Sequence, residues 1–470
     1  MPPVTGLYAA MLAPIVAAFF ASSRYLQTGP VAVTSLLTFG VLSPLAAPGG
    51  ERYVALAALL AVVVGVVRLG LGLARFGWVA FLLSHPVLLG FTSGAAVLII
   101  LSQIPTAVAA VAPAGSLVSR AWWVIGHPGA WSVTAAALSG VTLIVVLGGK
   151  RIHPLFPGVL VALVGGLVFS VVAGYAGPVV GSMAAGLPPI TWDLPWRDLP
   201  ALLVPGVVLA LVGFAEPAAI ARTYAAQDRE RWDADRELIS QGAANVAAGF
   251  TGGFPVGGSW SRTAITRLAG GRSKWSGAVA GVVVVALLPV AHVLAAVPRA
   301  VLAAIILAAV INLVRLRPLV GLVALSPPQA AVGWATFALT LLLAPRVDRA
   351  ILIGIGFAVL VHVWRERRVH VKARFEEGTL YLEPKGVLFF ASAPTLYQAF
   401  MDELAKNPAT GRLVVDLRHL GRIDITGAVA LRELVSEAEL AGLEVELQQA
   451  PPQAWRLLKK VLAEPRPTSD

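Results

Sequence analysis

Long apolar runs, separated by short polar connections, dominate the first three quarters of the chain. Several are shorter than the ~20 residues that a perpendicular membrane helix needs. The pattern predicts a polytopic α-helical membrane region over residues 1–365, in which some spans are broken. The thirteen predicted segments are Val4–Phe20, Pro30–Pro44, Val54–Val67, Val79–Ile104, Val133–Leu147, Pro157–Ala173, Leu199–Phe214, Leu238–Phe250, Ser259–Leu268, Ser276–Leu294, Val301–Val314, Gln329–Leu343 and Ala350–Trp364.

One polar stretch, Gly252–Thr263, interrupts this region. Pro255 and the surrounding glycines break helix, whereas Ser259 is a favoured N-cap residue, so a new helix is predicted to begin there. A helix that starts at membrane depth directs its free N–H groups and its positive dipole end into a protein-lined or watery cavity. Arg262 adds a full positive charge in the first turn. The stretch therefore predicts an anion site.

A second interrupted segment, Gly29–Ser35, also opens with Gly-Pro and carries hydroxyl residues in its first turns. A lone break of this kind is more often a kink in a packed helix. Two short, broken segments, one in each half of the chain, are typical of an inverted-repeat transporter with its site at the membrane midplane. The pairing favours that interpretation.

The composition changes after Trp364, where a basic linker is predicted over 366–377 and a small α/β domain over 378–470. The predicted strands are Leu380–Leu382 paired with Val387–Phe390, then Arg412–Leu417 and Glu444–Leu447; the predicted helices are Ala393–Ala405, Ile425–Ala441 and Trp455–Ala463.

Composition and charge support a membrane protein. Hydrophobic residues make up 57% of the 470 positions and charged residues 13%. The net charge of +11 comes from Lys and Arg clustered in alternate short connections, Arg68 and Arg75 among them, which places those connections and the C-terminus in the cytoplasm. We therefore expect no nucleic-acid partner. There is no cysteine and no constellation of nucleophile, base or metal ligands, so we expect no enzyme, no metal site and no cofactor.

Four stretches carry a family resemblance. Pro2–Ala10, Gly29–Val33 and Asn245–Thr263 resemble signatures of the SulP anion transporters, the bacterial relatives of the solute-carrier 26 proteins, and Val415–Ala428 resembles part of a STAS domain. The resemblance covers essentially the whole chain. It implies a fold of seven plus seven inverted spans divided into a core and a gate, usually dimeric, and transport by an elevator-like movement of the core.

The resemblance also implies functional positions. The substrate-binding residues would be Pro30, Val31 and Ala32 on one half-helix, and Ser259, Trp260, Ser261, Arg262 and Thr263 on the other. Glu216 matches an acidic position through which the family can couple transport to H⁺ or Na⁺. Its alternative is a structural ion pair with Arg262, and that of Trp260 is packing. Thr426 falls where regulatory STAS proteins carry a phosphorylatable serine; its alternative is a helix N-cap.

The family's first span normally precedes the position of Pro2-Pro3. We therefore expect thirteen of the fourteen spans, and interpret Met1 as a shortened start that removes part of the anion site.

The leading hypothesis is secondary transport of a small anion (sulfate, bicarbonate or a dicarboxylate) across the bacterial inner membrane by a homodimer with a cytoplasmic STAS domain, to which a protein partner can bind. One alternative is an anion-binding sensor that signals through the STAS domain. Another is a nucleobase transporter of the same architecture, which Arg262 disfavours because a neutral base needs no full positive charge.

Overall fold

The protein is described by a computed structural model over residues 1–81, 84–183, 186–188, 190–367 and 369–462. The chain divides into two compact units, Met1–Gly356 and Phe357–Asp470. Each has its own architecture.

The first unit is helical, with one short pair of strands. Each of the thirteen predicted apolar segments overlaps a helix. Seven helical stretches of the described residues are long and apolar enough to cross a membrane, and three further apolar helices are shorter. The elements are α1 (Val4–Phe20), β1 (Thr28–Gly29), α2 (Ala32–Leu42), α3 (Glu51–Leu73), α4 (His85–Ala107), α5 (Leu117–Gly126), α6 (Val133–Leu143), α7 (Gly149–Ile152), α8 (Gly158–Val172), α9 (Leu199–Asp228), α10 (Ala234–Phe250), β2 (Gly257–Gly258), α11 (Trp260–Leu268), α12 (Trp275–Leu287), α13 (Arg299–Val310), α14 (Leu316–Leu325), α15 (Pro327–Leu342) and α16 (Val347–Glu366).

Some boundaries differ from the prediction. The segment predicted to end at Phe214 continues as α9 through Pro217 to Asp228. A proline inside a helix removes one backbone hydrogen bond but does not end the helix where neighbouring elements support it. The ten-residue helices α5 and α14 were not predicted, because each contains an arginine and is too short to stand out as a span.

The spanning helices form two packing groups. Helices α1, α3, α9, α10 and α12 pack against one another, and α4, α6, α13 and α15 form a second group. The half-helix α2 contacts both groups. An apolar cluster joins Ala32 and Leu36 of α2 to residues of the second group, among them Ile99 and Val310. This division corresponds to the core and gate implied by the family resemblance.

The second unit begins within the last turns of α16, and its described residues beyond that helix form a five-stranded sheet with three helices. Strand β4 pairs with β3 in antiparallel fashion and with β5 and β6 in parallel, and β7 extends the sheet beyond β5. Its elements are β3 (His370–Glu376), β4 (Thr379–Leu388), α17 (Ala393–Lys406), β5 (Arg412–Asp416), β6 (Leu420–Ile423), α18 (Ile425–Leu440), β7 (Glu444–Gln448) and α19 (Pro452–Leu462). A separate hydrophobic core, which includes Leu382, Phe400, Val415 and Leu431, joins sheet to helices.

Two predictions for this unit were wrong. Residues 370–376 lie in the predicted linker but form β3, because Glu377 and Gly378 both adopt positive φ and make a tight hairpin turn. The two strands predicted to pair with each other, Leu380–Leu382 and Val387–Phe390, instead belong largely to the single strand β4. Pro384 does not interrupt β4, since it lies between the stretch that pairs with β5 and the stretch that pairs with β6.

Candidate functional site

The first unit is organised around the crossing of two interrupted segments. Strands β1 and β2 pair in antiparallel register, with Thr28 opposite Gly258 and Gly29 opposite Gly257. Each strand leads directly into a half-helix, α2 or α11, so both helix N-termini lie at the crossing. Ser259 is the N-cap of α11, and its hydroxyl accepts a hydrogen bond from the Arg262 amide at 3.4 Å. This confirms the predicted helix start and concentrates free N–H groups from two helices in one place.

Glycine is required where the segments cross. Gly29 has a φ of +152°, and a Cβ atom there would lie 3.2 Å from Nη1 of Arg262. A Cβ atom on Gly258 would lie 2.6 Å from the Leu26 side chain and 3.2 Å from Cα of Pro217 in α9. The close approach of β1, β2 and α9 thus depends on the missing side chains.

Arg262 is the principal charged group at the crossing. Its guanidinium lies against Gly29, at the entrance to α2. Its Nε and Nη2 atoms are buried and have no hydrogen-bond partner among the described residues. Buried guanidinium donors without a partner are costly, and an anion is the kind of group that would satisfy them. The geometry brings Arg262 together with both helix N-termini.

The other predicted site residues differ in burial: most are at least partly exposed at the helix starts, whereas Thr263 is buried. Pro30 and Val31 form the entrance to α2, and Ala32 begins the helix. Ser261 is exposed, and Trp260 lies beside Tyr224, with ring centroids 6.3 Å apart. Thr263, by contrast, is fully buried, and its Oγ1 accepts a hydrogen bond from the Gln27 amide at 3.0 Å. Thr263 therefore ties α11 to the segment that enters β1.

Buried amides in α10 support the crossing from behind. Asn245 donates to the Val256 carbonyl at 3.1 Å and accepts from the Val256 amide at 2.9 Å. Gln241, one turn earlier, donates to Oγ1 of Thr28 at 2.7 Å. These two side chains fix the residue before β2 and the first residue of β1. Gln241 is not among the predicted site residues, although two side-chain amides four residues apart in an apolar segment indicate a shared helix face.

The predicted location of Arg68 was wrong. The charge pattern predicts a place for Arg68 in a cytoplasmic connection, but this residue lies inside α3 and is completely buried. Its guanidinium donates to the carbonyl oxygens of Ala210 at 3.0 Å, Leu209 at 3.5 Å and Val256 at 3.1 Å. The prediction was wrong because α3 does not end before Arg68. The mostly apolar residues that follow extend the helix to Leu73.

Glu216 lies within α9 and is half-buried. Within the described ranges it forms no ion pair, and the cations that act on its charge through space are Arg315 and Arg262. The alternative of a direct structural ion pair with Arg262 therefore finds no support in the geometry. Pro217 follows, and because it lacks an N–H group it leaves the Gly213 carbonyl without its usual helical donor.

The far end of α11 is anchored separately. Arg267 forms a two-pronged ion pair with Asp228 of α9, at 3.0 and 2.6 Å. The same guanidinium lies 5.0 Å from the ring centres of both Tyr25 and Tyr224. Close approach to two aromatic rings and paired hydrogen bonds to a carboxylate together favour arginine at this position. Sequence reasoning treated Arg267 only as a topology signal.

In the second unit, Thr426 lies exposed in the first turn of α18. The N-cap is Asp424, whose carboxylate accepts a hydrogen bond from the Gly427 amide at 2.7 Å. The alternative that assigned capping to Thr426 was therefore wrong, because Asp424 is the residue before the helix.

Comparison with known protein families identifies both units of the chain. Residues 1–336 match the Sulfate permease family. The chain belongs to this family. Residues 370–464 match the STAS domain, so the family resemblance inferred from the motifs is confirmed.

Several relatives of this family member are known by sequence. A probable sulfate transporter of Mycobacterium tuberculosis is 36% identical over 307 residues, which are 63% of this chain and 54% of the relative. Human Solute carrier family 26 member 6 is 29% identical over 85% of this chain and 57% of its own length. The chain thus spans about half the length of these relatives.

Two solved structures share the fold. Murine Solute Carrier 26 family member A9, described as an anion transporter in the inward-facing state, superimposes with a TM-score of 0.89 at 21% identity, covering 98% of this chain and 83% of the other. The transmembrane domain of a cyanobacterial bicarbonate transporter, BicA, gives a TM-score of 0.63 at 22% identity and covers 76% of this chain and 89% of its own.

Proposed function

We propose that this protein is a secondary transporter of a small inorganic or carboxylate anion, in the class of sulfate, bicarbonate and dicarboxylates. The observation that carries the proposal is Arg262. Its unpartnered donors lie where the N-termini of α2 and α11 meet, so a full charge and two helix dipoles act on one small volume. The similarity to a probable sulfate transporter and to a solute-carrier 26 protein supports the same class.

The two packing groups suggest how the anion would cross. The crossing of β1 and β2 belongs to the first group, which includes α1, α3, α9, α10 and α12. We infer that this core moves as a body against the gate helices and carries the site with it in an elevator-like cycle. The apolar contact of Ala32 and Leu36 with gate residues would then form and break during the cycle.

Glu216 is proposed to couple transport to H⁺ or Na⁺. It lies on a core helix and forms no ion pair with any described residue, and Arg315 and Arg262 both act on its charge through space. The charge state of Glu216 would depend on the bound anion, because Arg262 acts on Glu216 and is also the proposed anion-binding residue. Protonation or binding of Na⁺ would offset the negative charge that the substrate brings.

Location and assembly are proposed on the same basis. Placing the basic connections on the cytoplasmic side predicts a bacterial inner-membrane protein with a cytoplasmic STAS unit. A homodimer, and a cytoplasmic protein that binds the STAS unit, are proposed from the family resemblance. Exposed Thr426 is the proposed modification position on that unit.

Uptake by proteoliposomes tests the proposal. Purified protein would be reconstituted and offered labelled sulfate, bicarbonate, chloride and oxalate, with and without H⁺ and Na⁺ gradients. We expect saturable uptake of at least one anion, and a loss of at least tenfold, roughly 1.4 kcal/mol or more, in Arg262→Ala. Glu216→Gln should abolish the response to the gradient.

Matched controls are available in exposed residues. Arg151→Ala and Glu51→Gln remove the same charges at exposed positions, and should leave uptake unchanged. Wild-type uptake in both Arg262→Ala and Glu216→Gln would contradict the site assignment. No uptake of any anion by the wild type would contradict transport itself.

A further inference from the structure

The most unusual group outside the proposed anion site is Arg68. It is completely buried inside α3, and among the described residues no acidic side chain acts on its charge. Within the described ranges, its hydrogen bonds go to the backbone carbonyl oxygens of Leu209, Ala210 and Val256. Full burial of a cation without a countercharge is costly and is rarely retained without a reason.

Arg68 lies directly behind the crossing. A Cβ atom on Gly213 of α9 would be 2.7 Å from Nη2 of Arg68 and 3.3 Å from Cγ2 of Thr34, in the first turn of α2. A Cβ atom on Gly257 of β2 would in turn lie 3.4 Å from the same Thr34 methyl group and 3.7 Å from the Gly213 carbonyl oxygen. The guanidinium is therefore one layer of atoms away from both β2 and the start of α2.

The contacts of Arg68 also act on the backbone of the crossing. Val256 immediately precedes β2, and its carbonyl oxygen accepts from Arg68 and from Asn245. A carbonyl held in this way directs its negative end toward the buried guanidinium. The N–H groups at the start of α11 then remain the polar groups that face the site.

We propose that Arg68 is a fixed second cation of the anion site, a positioning residue that raises the positive potential at the crossing without touching the anion. The inference rests on the proposed transport function and deepens it. Arg262 supplies the direct contact, whereas Arg68 supplies charge from behind, where water does not reach it. Screening is weak in such a setting, so the field acts on the anion in proportion to the anion's own charge.

The charge of the anion separates this role from simple support of the fold. We would measure KM for sulfate, oxalate, chloride and bicarbonate in proteoliposomes, and inhibition constants for those that only compete. Arg68→Gln removes the positive charge. It should raise KM or the inhibition constant roughly tenfold for a monovalent anion and roughly a hundredfold for a divalent one, because each negative charge on the anion loses the same electrostatic attraction. Arg68→Lys keeps the charge and should keep the ratio of divalent to monovalent constants, even where both rise because lysine lacks the fork.

Arg75→Gln is the matched control, since Arg75 is exposed just beyond the end of α3. It should leave both constants unchanged. The proposal would be overturned if Arg68→Gln, like Arg68→Lys, raised the constants for monovalent and divalent anions by the same factor. It would also be overturned if neither variant yielded a folded, monodisperse protein. If only Arg68→Lys folds, an unchanged ratio supports the proposal and a changed ratio overturns it. A wild type that binds and transports none of the four anions instead contradicts transport, and the role of Arg68 with it.

Discussion

At the scale of single residues, Gly29 shows how closely conformation and site are linked. Its backbone adopts a positive φ, and a Cβ atom there would lie only 3.2 Å from the guanidinium nitrogens of Arg262. One missing side chain therefore permits both the turn into α2 and the approach of the charge.

Gly29→Ala should impair anion uptake more than protein yield. The added methyl group must displace Arg262 and also strain the backbone, which costs roughly 1–3 kcal/mol. We expect a clear rise in KM together with a lower melting temperature in detergent. Gly140→Ala in α6 is the control, because a Cβ atom there meets nothing within 4 Å and alanine favours helix. If Gly29→Ala retained wild-type KM, Gly29 would not shape the site.

At the scale of elements, α11 is a nine-residue helix fixed at both ends by different chemistry. Ser259 caps its start, Thr263 ties its first turn to the backbone amide of Gln27 just before β1, and Arg267 holds its end to α9 through Asp228. Because a helix of this length has little stability of its own, the position of α11 depends on these contacts.

Asp228→Asn should loosen α11 without unfolding the protein. Asparagine cannot offer a charged, two-oxygen partner to Arg267, so the two-pronged pair is lost. We expect faster amide hydrogen exchange over residues 260–268 and an unchanged rate in α3. Glu230→Gln is the control, because its pair with Arg24 is exposed and contributes little. Unchanged exchange in Asp228→Asn would show that the tyrosine contacts alone hold the helix end.

At the scale of the whole molecule, the two units have separate cores and distinct chemistry. The first combines apolar outer surfaces with a polar crossing inside. The second is an ordinary α/β unit whose sheet and helices share one apolar core. In it, Asp416 at the end of β5 accepts hydrogen bonds from the backbone and side chain of Arg418.

Asp416 should make the second unit sensitive to acid. Hydrogen bonds and charge from Arg418 hold the pKa of Asp416 below its usual value. The stabilisation is therefore present above the unfolded-state pKa of about 3.9, and is lost as pH falls through the lower folded-state value. In urea unfolding of residues 357–470, Asp416→Asn should cost about 1–3 kcal/mol at pH 6 and progressively less toward pH 2. Arg374 and Glu376 form an exposed pair, and Glu376→Gln should change stability little at either pH. An equal loss at both pH values in Asp416→Asn would exclude the charge as its cause.

Local pattern was sufficient for much of the fold. The apolar runs, the two Gly/Pro breaks, the cap at Ser259 and the alternating strands and helices of the tail each depend on neighbouring residues, so they are visible in one dimension. The pairing of two half-helices and the presence of Arg262 were enough to predict an anion site, and the motifs pointed to the family.

Tertiary structure decided the rest, because the decisive contacts join distant positions. Arg68 and Val256 are separated by 188 positions, and no local pattern distinguishes a buried arginine from one in a connection. The register of β1 with β2 and the hydrogen bond of Thr263 likewise arise only when separate segments meet. The same holds for the position of Glu216, which forms no ion pair within the part of the chain that the structure describes. Hydropathy determines which segments enter the membrane, whereas packing determines which of their few polar groups remain free to bind an anion.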